Sequence, residues 1–262
     1  MRAHRCARTA HRWSTRPRPE RGMPCPHHGD LTQPDALDAA LDGVDAVFLL
    51  WPLFTTEAAP AAVGAIARHA RRVVYLSAMS GNGDERPDGF WGEIEELIER
   101  SGVEWTFLRG GGFATNLLGW ADQIRTDGVV RWPYGGAGRS LIHEADIADV
   151  AVRALLDDGH TGRTYSLTGP EVVTQAEQVR IIGEAIGREV RWEELPPDGA
   201  RKQLLAEWGD EGYVDTALRA WADMVDNPEP VTDTVEQVTG RPARTFRQWA
   251  IDHADDFRGQ AD

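Results

Sequence analysis

Hydrophobic positions in this chain fall into short dense runs, separated by stretches where they recur every three or four residues, and the rhythm begins at Gly29. Leu37, Ala40 and Leu41 share one face of a short helix that Thr32 caps and Pro34 opens, with Gly43 just past its end. Val44–Trp51 is apolar except for Asp45, the pattern of a parallel strand covered on both faces. An alanine-rich helix over about 57–70 leads to a second such strand, Val73–Ala78. After a loop rich in Gly, Asn and Asp, Phe90, Ile94, Leu97 and Ile98 recur at helical spacing, and Gly102 stops that helix before a third strand, Val103–Arg109.

Strands alternating with helices of this length predict right-handed crossovers and an α/β fold: a Rossmann-like parallel sheet with helices on both faces. In such sheets ligands bind beyond the carboxyl ends of the strands. Those ends are Leu50-Trp51-Pro52, Ser77 to Ser80 and Leu108 to Phe113. Further on the pattern predicts a helix over 144–157, a strand over Thr164–Thr168, a helix opened by a Thr174–Glu177 capping box, and a strand over Val190–Glu194. Beyond Pro197 it predicts helices only, the last opened by a Thr245–Gln248 capping box and striped by Phe246, Trp249, Ala250, His253 and Phe257. The organisation expected is a basic head over 1–28, a nucleotide-binding domain over 29–170 and a smaller, mostly helical substrate or lid region over 171–262.

Charge sharpens the first boundary. The chain has 262 residues, 28 Lys and Arg, and 42 Asp and Glu. Residues 1–28 hold seven arginines and the single acid Glu20, which leaves a net charge near −20 on the body. Such a body repels phosphate backbones, so no nucleic-acid partner is expected. No window approaches the length of a membrane-spanning apolar run, so no membrane partner is expected either, and a reducing cytoplasm fits two cysteines without a CxxC pair. The head has no apolar period and four prolines, and is read as an unstructured tail ahead of a targeting peptide or a basic arm. Cys25, His27, His28 and Asp30 are too crowded in one short loop to argue a metal site.

Several segments, in order, resemble the NmrA-like branch of the atypical short-chain dehydrogenase/reductase superfamily. They are Gly29-Asp30-Leu31-Thr32, Gly43 to Pro52, Tyr75-Leu76-Ser77, Glu93 to Ile98, and Trp105 to Arg109. They continue with Gly111-Gly112-Phe113 plus Asn116, Ile142-His143 with Asp146, and Tyr165 to Gly169, and together cover about 29–260. The resemblance implies a Rossmann-like domain holding NADP or NAD, and a C-terminal region that shapes a site for a small-molecule substrate. By that resemblance Asp30 and Leu31 sit beside the adenine, Leu50, Trp51 and Pro52 pass under the adenosine ribose, and Ser77 with Gly110, Gly111, Gly112 and Phe113 faces the nicotinamide. Glycine at 110–112 would let backbone approach a flat ring.

Two departures matter. Family members open with a strand, a G-x-x-G-x-x-G loop and a helix whose N-terminus binds the pyrophosphate. Nothing before Gly29 matches that unit, so the chain is expected to lack the first βαβ unit and to bind cofactor weakly. The Tyr-x-x-x-Lys pair of most short-chain dehydrogenases is also missing, because the only lysine is Lys202 and position 198 is Asp. Candidate substitutes for the proton donor are His143, beside Asp146, together with Asn116 and Tyr75, the last read chiefly as core. Glu93, Glu95 and Glu96 are read as a solvated helix face. The function expected is an NAD(P)H-dependent oxidoreductase on a quinone- or carbonyl-like compound. The alternatives are a non-catalytic dinucleotide sensor that contacts a protein partner, and a truncated homologue deficient in cofactor.

Overall fold

Ala46–Leu50 (β1) and Arg72–Ala78 (β2) pair in parallel, with Ala46 beside Arg72 and Leu50 beside Leu76, so the two strands end at one edge. The computed structural model describes residues 7–8, 27–28, 30–81, 83 and 85–258. Before β1 lies helix Pro34–Leu41 (α1). The crossover from β1 to β2 is Ala59–His69 (α2), and that from β2 to Glu104–Gly110 (β3) is Phe90–Ser101 (α3). With the strand Arg163–Leu167 these form a four-stranded sheet ordered β1, β2, β3 and then Arg163–Leu167. Residues 7–8 and 27–28 make a separate two-residue parallel pair.

Contacts group the chain into two units, Met1–Arg109 with Ala151–Tyr165, and Gly110–Val150 with Ser166–Asp262. In the first, strand alternation sends Val73, Tyr75 and Ser77 to one face of β2. Val73 and Tyr75 pack there with Leu49 and Phe107, under Leu37 and Leu41 of α1, Val63 and Ile66 of α2, and Ile94 and Ile98 of α3. The alternate positions of β2 lead to the other face. There Arg72, 3% exposed, directs its guanidinium at the last turn of the helix Glu144–Leu156, donating to Ala154 O at 3.0 Å and Asp157 O at 2.7 Å. A cation on those orphan carbonyls satisfies their hydrogen bonds and opposes the negative end of the helix dipole.

Cover on that face does not reach the sheet edge. Phe48 and Leu50, beside Val74 and Leu76, are 37% and 52% exposed, whereas an all-apolar β1 is expected to be buried on both sides. The apolar run therefore reports a strand with one packed face and one open one. Thr32 also departs from its expected role: the N-cap of α1 is Gln33, and Thr32 gives its N–H and hydroxyl to the Asp30 carboxylate at 2.8 and 2.7 Å.

The second unit begins with a 3-10 turn, Ala114–Trp120, then helix Ala121–Asp127 (α4) and strand Val129–Trp132 (β4). Arg191–Glu194 pairs with β4 in parallel, a pairing across more than sixty positions that no local pattern announces. The Thr174–Glu177 capping box forms in full, with Glu177 N–H to Thr174 Oγ1 at 3.3 Å and Thr174 N–H to Glu177 at 3.0 Å, opening helix Gln175–Ile186. The Thr245–Gln248 box forms by half: Thr245 accepts from Gln248 N–H, while the Gln248 side chain turns to Asp252. Phe246, Trp249, Ala250 and Phe257 are buried against Ile124, Val179 and Ile182, as their stripe predicts.

Replacing Arg72 with alanine strands the carbonyls of Ala154, Leu155 and Asp157 and leaves Glu104 with Arg71 alone of its two arginines. The expected cost is about 2–4 kcal/mol, read as a lower urea midpoint with an unchanged slope. A loss below about 0.5 kcal/mol, the size of an ordinary surface change, would show that the helix end needs no cation.

Candidate functional site

The carboxyl edge of β1, β2 and β3 is built by three turns. The first leaves β1 through Trp51, which is 3% exposed, its indole folded into the core with Nε1 donating to Thr55 O at 3.0 Å. Pro52 and Leu50 lie at the surface. Ser77 ends β2 fully buried, and its hydroxyl finds no hydrogen-bond partner among the described residues. Tyr75, two positions back on the same face, is likewise buried with an unpaired hydroxyl. Burial pushes the Tyr75 phenol far above its usual range, and the nearby Glu95 carboxylate pushes the same way. A phenol so enclosed keeps its proton, and Tyr75 packs in the core of the first unit.

Glu95 is the residue that local pattern placed wrongly. Instead of standing in solvent it is fully buried, taking Arg109 in a two-pronged pair: Nε to Oε1 at 3.0 Å and Nη2 to Oε2 at 2.7 Å. Arg109, 6% exposed at the end of β3, also donates to Gly83 O at 3.2 Å and Glu85 O at 2.8 Å. One guanidinium thus binds α3, β3 and the turn that follows β2. The signal was present in the sequence, since Trp91, Ile94, Glu95 and Ile98 share one stripe of α3. Glu93 is exposed and accepts from Thr56 Oγ1 at 2.7 Å; Glu96 pairs with Arg100.

Asp30, at the surface, spends its carboxylate on the turn before α1, and Leu31 packs on the core of the first unit. Cys25, from the crowded segment at the chain's beginning, lies outside the described residues.

Gly110 to Phe113 and the rest of the candidates belong to the second unit. A Cβ on Gly110 would stand 2.5 Å from the Phe113 ring, and one on Gly112 would stand 2.3 Å from both the Arg139 guanidinium and the Leu141 side chain. Gly111 N–H donates to Leu167 O at 2.9 Å, and Gly112 O accepts from Ile142 N–H at 2.8 Å. A side chain at 110 or 112 would therefore have to displace these neighbours. Asn116 is exposed in the 3-10 turn.

His143 does not pair with Asp146, whose carboxylate is held by Arg244 through its backbone N–H at 2.8 Å and its guanidinium. Instead His143, 4% exposed, lies 3.3 Å from both Glu144 and Asp252, while His253 meets Glu144 at 2.7 Å and Asp256 at 2.8 Å. Burial pulls both imidazoles down, and the carboxylates more than reverse it, so both titrate above the ordinary value of 6.5. Burial likewise works against the Glu144 carboxylate, and the two histidines overcome it, holding it at about 2. The cluster ties the last helices to the start of Glu144–Leu156.

A family model described as NAD(P)H-binding matches residues 25–158. Among curated relatives, the (4-alkanoyl-5-oxo-2,5-dihydrofuran-3-yl)methyl phosphate reductase of Streptomyces griseus is 40% identical, over 85% of this chain and 80% of its own length. The NAD(P)H azoreductase of Xenophilus azovorans is 37% identical, over 87% and 82%. Among solved structures, the NADPH-dependent quinone oxidoreductase of Escherichia coli complexed with NADPH aligns with a TM-score of 0.70 at 22% identity, covering 87% of this chain and 83% of that one. That likeness speaks for the fold.

The histidine cluster stabilises in a defined window. A raised imidazole pKa contributes fully below the unfolded value of about 6.5 and is lost as pH rises through the folded value. The lowered Glu144 pKa contributes above its unfolded value and is lost as pH falls toward 2. His253→Gln is therefore expected to lower the melting temperature most below about pH 6.5 and progressively less as pH rises above it. A deficit that grows with rising pH would refute the paired assignment.

Proposed function

Because this chain belongs to the NAD(P)H-binding oxidoreductase family, we propose that it catalyses NAD(P)H-dependent reduction of a small, conjugated organic acceptor. A bound reduced nicotinamide supplies a hydride. The protein's part is to bind and orient that ring beside the acceptor and to keep water from the pair.

The observation that carries this is the buried, unpartnered Ser77 hydroxyl at the tip of β2. A polar group deprived of both water and a partner costs about 1–3 kcal/mol, and a ligand oxygen or amide at the strand tip would relieve it. The residues present suit the nicotinamide end of a dinucleotide in this respect. In this reading Ser77 hydrogen-bonds the nicotinamide half, while Leu50, Trp51 and Pro52 pass beneath the ribose at the same edge. Asp30 and Leu31 stand at the adenine.

The names of the relatives support the acceptor class. An acylated oxo-dihydrofuran and an azo compound both present polarised double bonds that accept hydride at one atom and a proton at the next. With Tyr75 sealed in the core and His143 committed to carboxylates, the proton comes from water or from a group on the acceptor. The reaction is placed in the cytoplasm in this reading because reduced nicotinamide is available there.

Calorimetric titration of wild type and Ser77→Ala with NADPH and with NADH tests the assignment. Ser77→Ala is expected to weaken binding roughly fivefold, with melting temperature unchanged or raised, because an unpaired buried hydroxyl has been removed. Turnover is then read from loss of reduced-nicotinamide absorbance with quinone and azo acceptors. No binding of either cofactor to the wild type would overturn the proposal, and unaltered affinity in Ser77→Ala would remove Ser77 from it.

A further inference from the structure

Phe54 is 69% exposed in the turn between β1 and α2, and yet it is held in place. Immediately after it, the Trp51 indole donates to Thr55 O at 3.0 Å and Thr56 Oγ1 donates to Glu93 of α3 at 2.7 Å. The Phe54 ring stands edge-on to Phe90 at 6.0 Å and 89°. Phe90 lies 4.5 Å from Trp91 with the rings tilted by 33°, and Trp91 lies 6.4 Å from Tyr75. Phe90 and Trp91 are each only partly buried. Tyr75 shares its face of β2 with Ser77, so a continuous series of rings runs from the solvent to the strand position next to the orphan hydroxyl.

An exposed phenyl on a mobile loop would be unremarked, but one fixed by two tethers presents a preorganised surface that loses little freedom when something flat lies on it. We propose that Phe54, Phe90 and Trp91 form an aromatic wall that holds the flat, conjugated part of the acceptor at the carboxyl edge of the sheet. This rests on the reductase reading above and narrows it: the site favours bicyclic or larger flat ring systems over small aliphatic carbonyls.

Equilibrium dialysis of 2-naphthol, a flat ring that accepts no hydride, tests the wall without cofactor. Wild-type chain is expected to retain the probe, Phe54→Ala to hold it about fivefold more weakly, and Phe54→Trp to retain it. Because Phe54 is exposed, all three should melt together, and circular dichroism checks this. No retention by the wild type, or equal retention by Phe54→Ala, overturns the proposal. Since NADPH is absent from the dialysis, failure here leaves the cofactor titration standing, and failure of that titration leaves this result standing.

Discussion

The buried pair between Arg109 and Glu95 is the constraint on which the carboxyl edge depends. Stripping water from two opposite charges costs several kcal/mol per ion, and only near-ideal geometry with the remaining donors satisfied repays it. Here two prongs reach the carboxylate and further guanidinium donors reach Gly83 O and Glu85 O. The result is directional: the end of β3, the middle of α3 and the turn after β2 must keep one relative position for the pair to survive. Trp91 stands on the first turn of α3, and Ser77 lies on β2 just ahead of the turn that Arg109 holds. Packing of Ile94 and Ile98 would tolerate small slippage of α3, whereas the fork on Glu95 would not.

The β-α-β-α-β order from residue 44 to 110, the Thr174–Glu177 box and the stripe of Phe246, Trp249 and Phe257 were legible in the sequence because each is local, carried by spacing and capping chemistry within a few residues. What was not legible depended on partners far along the chain. The parallel pairing of Val129–Trp132 with Arg191–Glu194 is one case, and the open face of β1 is another. An apolar strand reads the same whether one or both of its faces are covered, so Phe48 and Leu50 gave no warning.

How the candidate residues pack was legible only in part, for related reasons. Strand tips identified the edge, but the roles of individual groups turned on neighbours that only folding supplies. Glu95 resembled Glu93 and Glu96 by composition, and its burial follows from standing one position beyond Ile94 on the inner stripe. Gly110 and Gly112 suggested clearance for a ligand, and the space beside them is taken by Phe113, Leu141 and Arg139. His143 suggested chemistry, and its carboxylate neighbours make it a fastener. The same reasoning isolates Ser77: among polar side chains at the edge it is buried yet unpaired, so a bound ligand offers it the most.

Hydrogen–deuterium exchange of the chain with and without saturating NADPH tests the central claim most directly. Occupation of the carboxyl edge by a dinucleotide predicts slowed exchange in the peptides spanning Leu50–Phe54 and Ser77–Ser80, with little change in the helices after Pro197. Slowed exchange confined to the C-terminal helices, with those two strand tips unaffected, would contradict it.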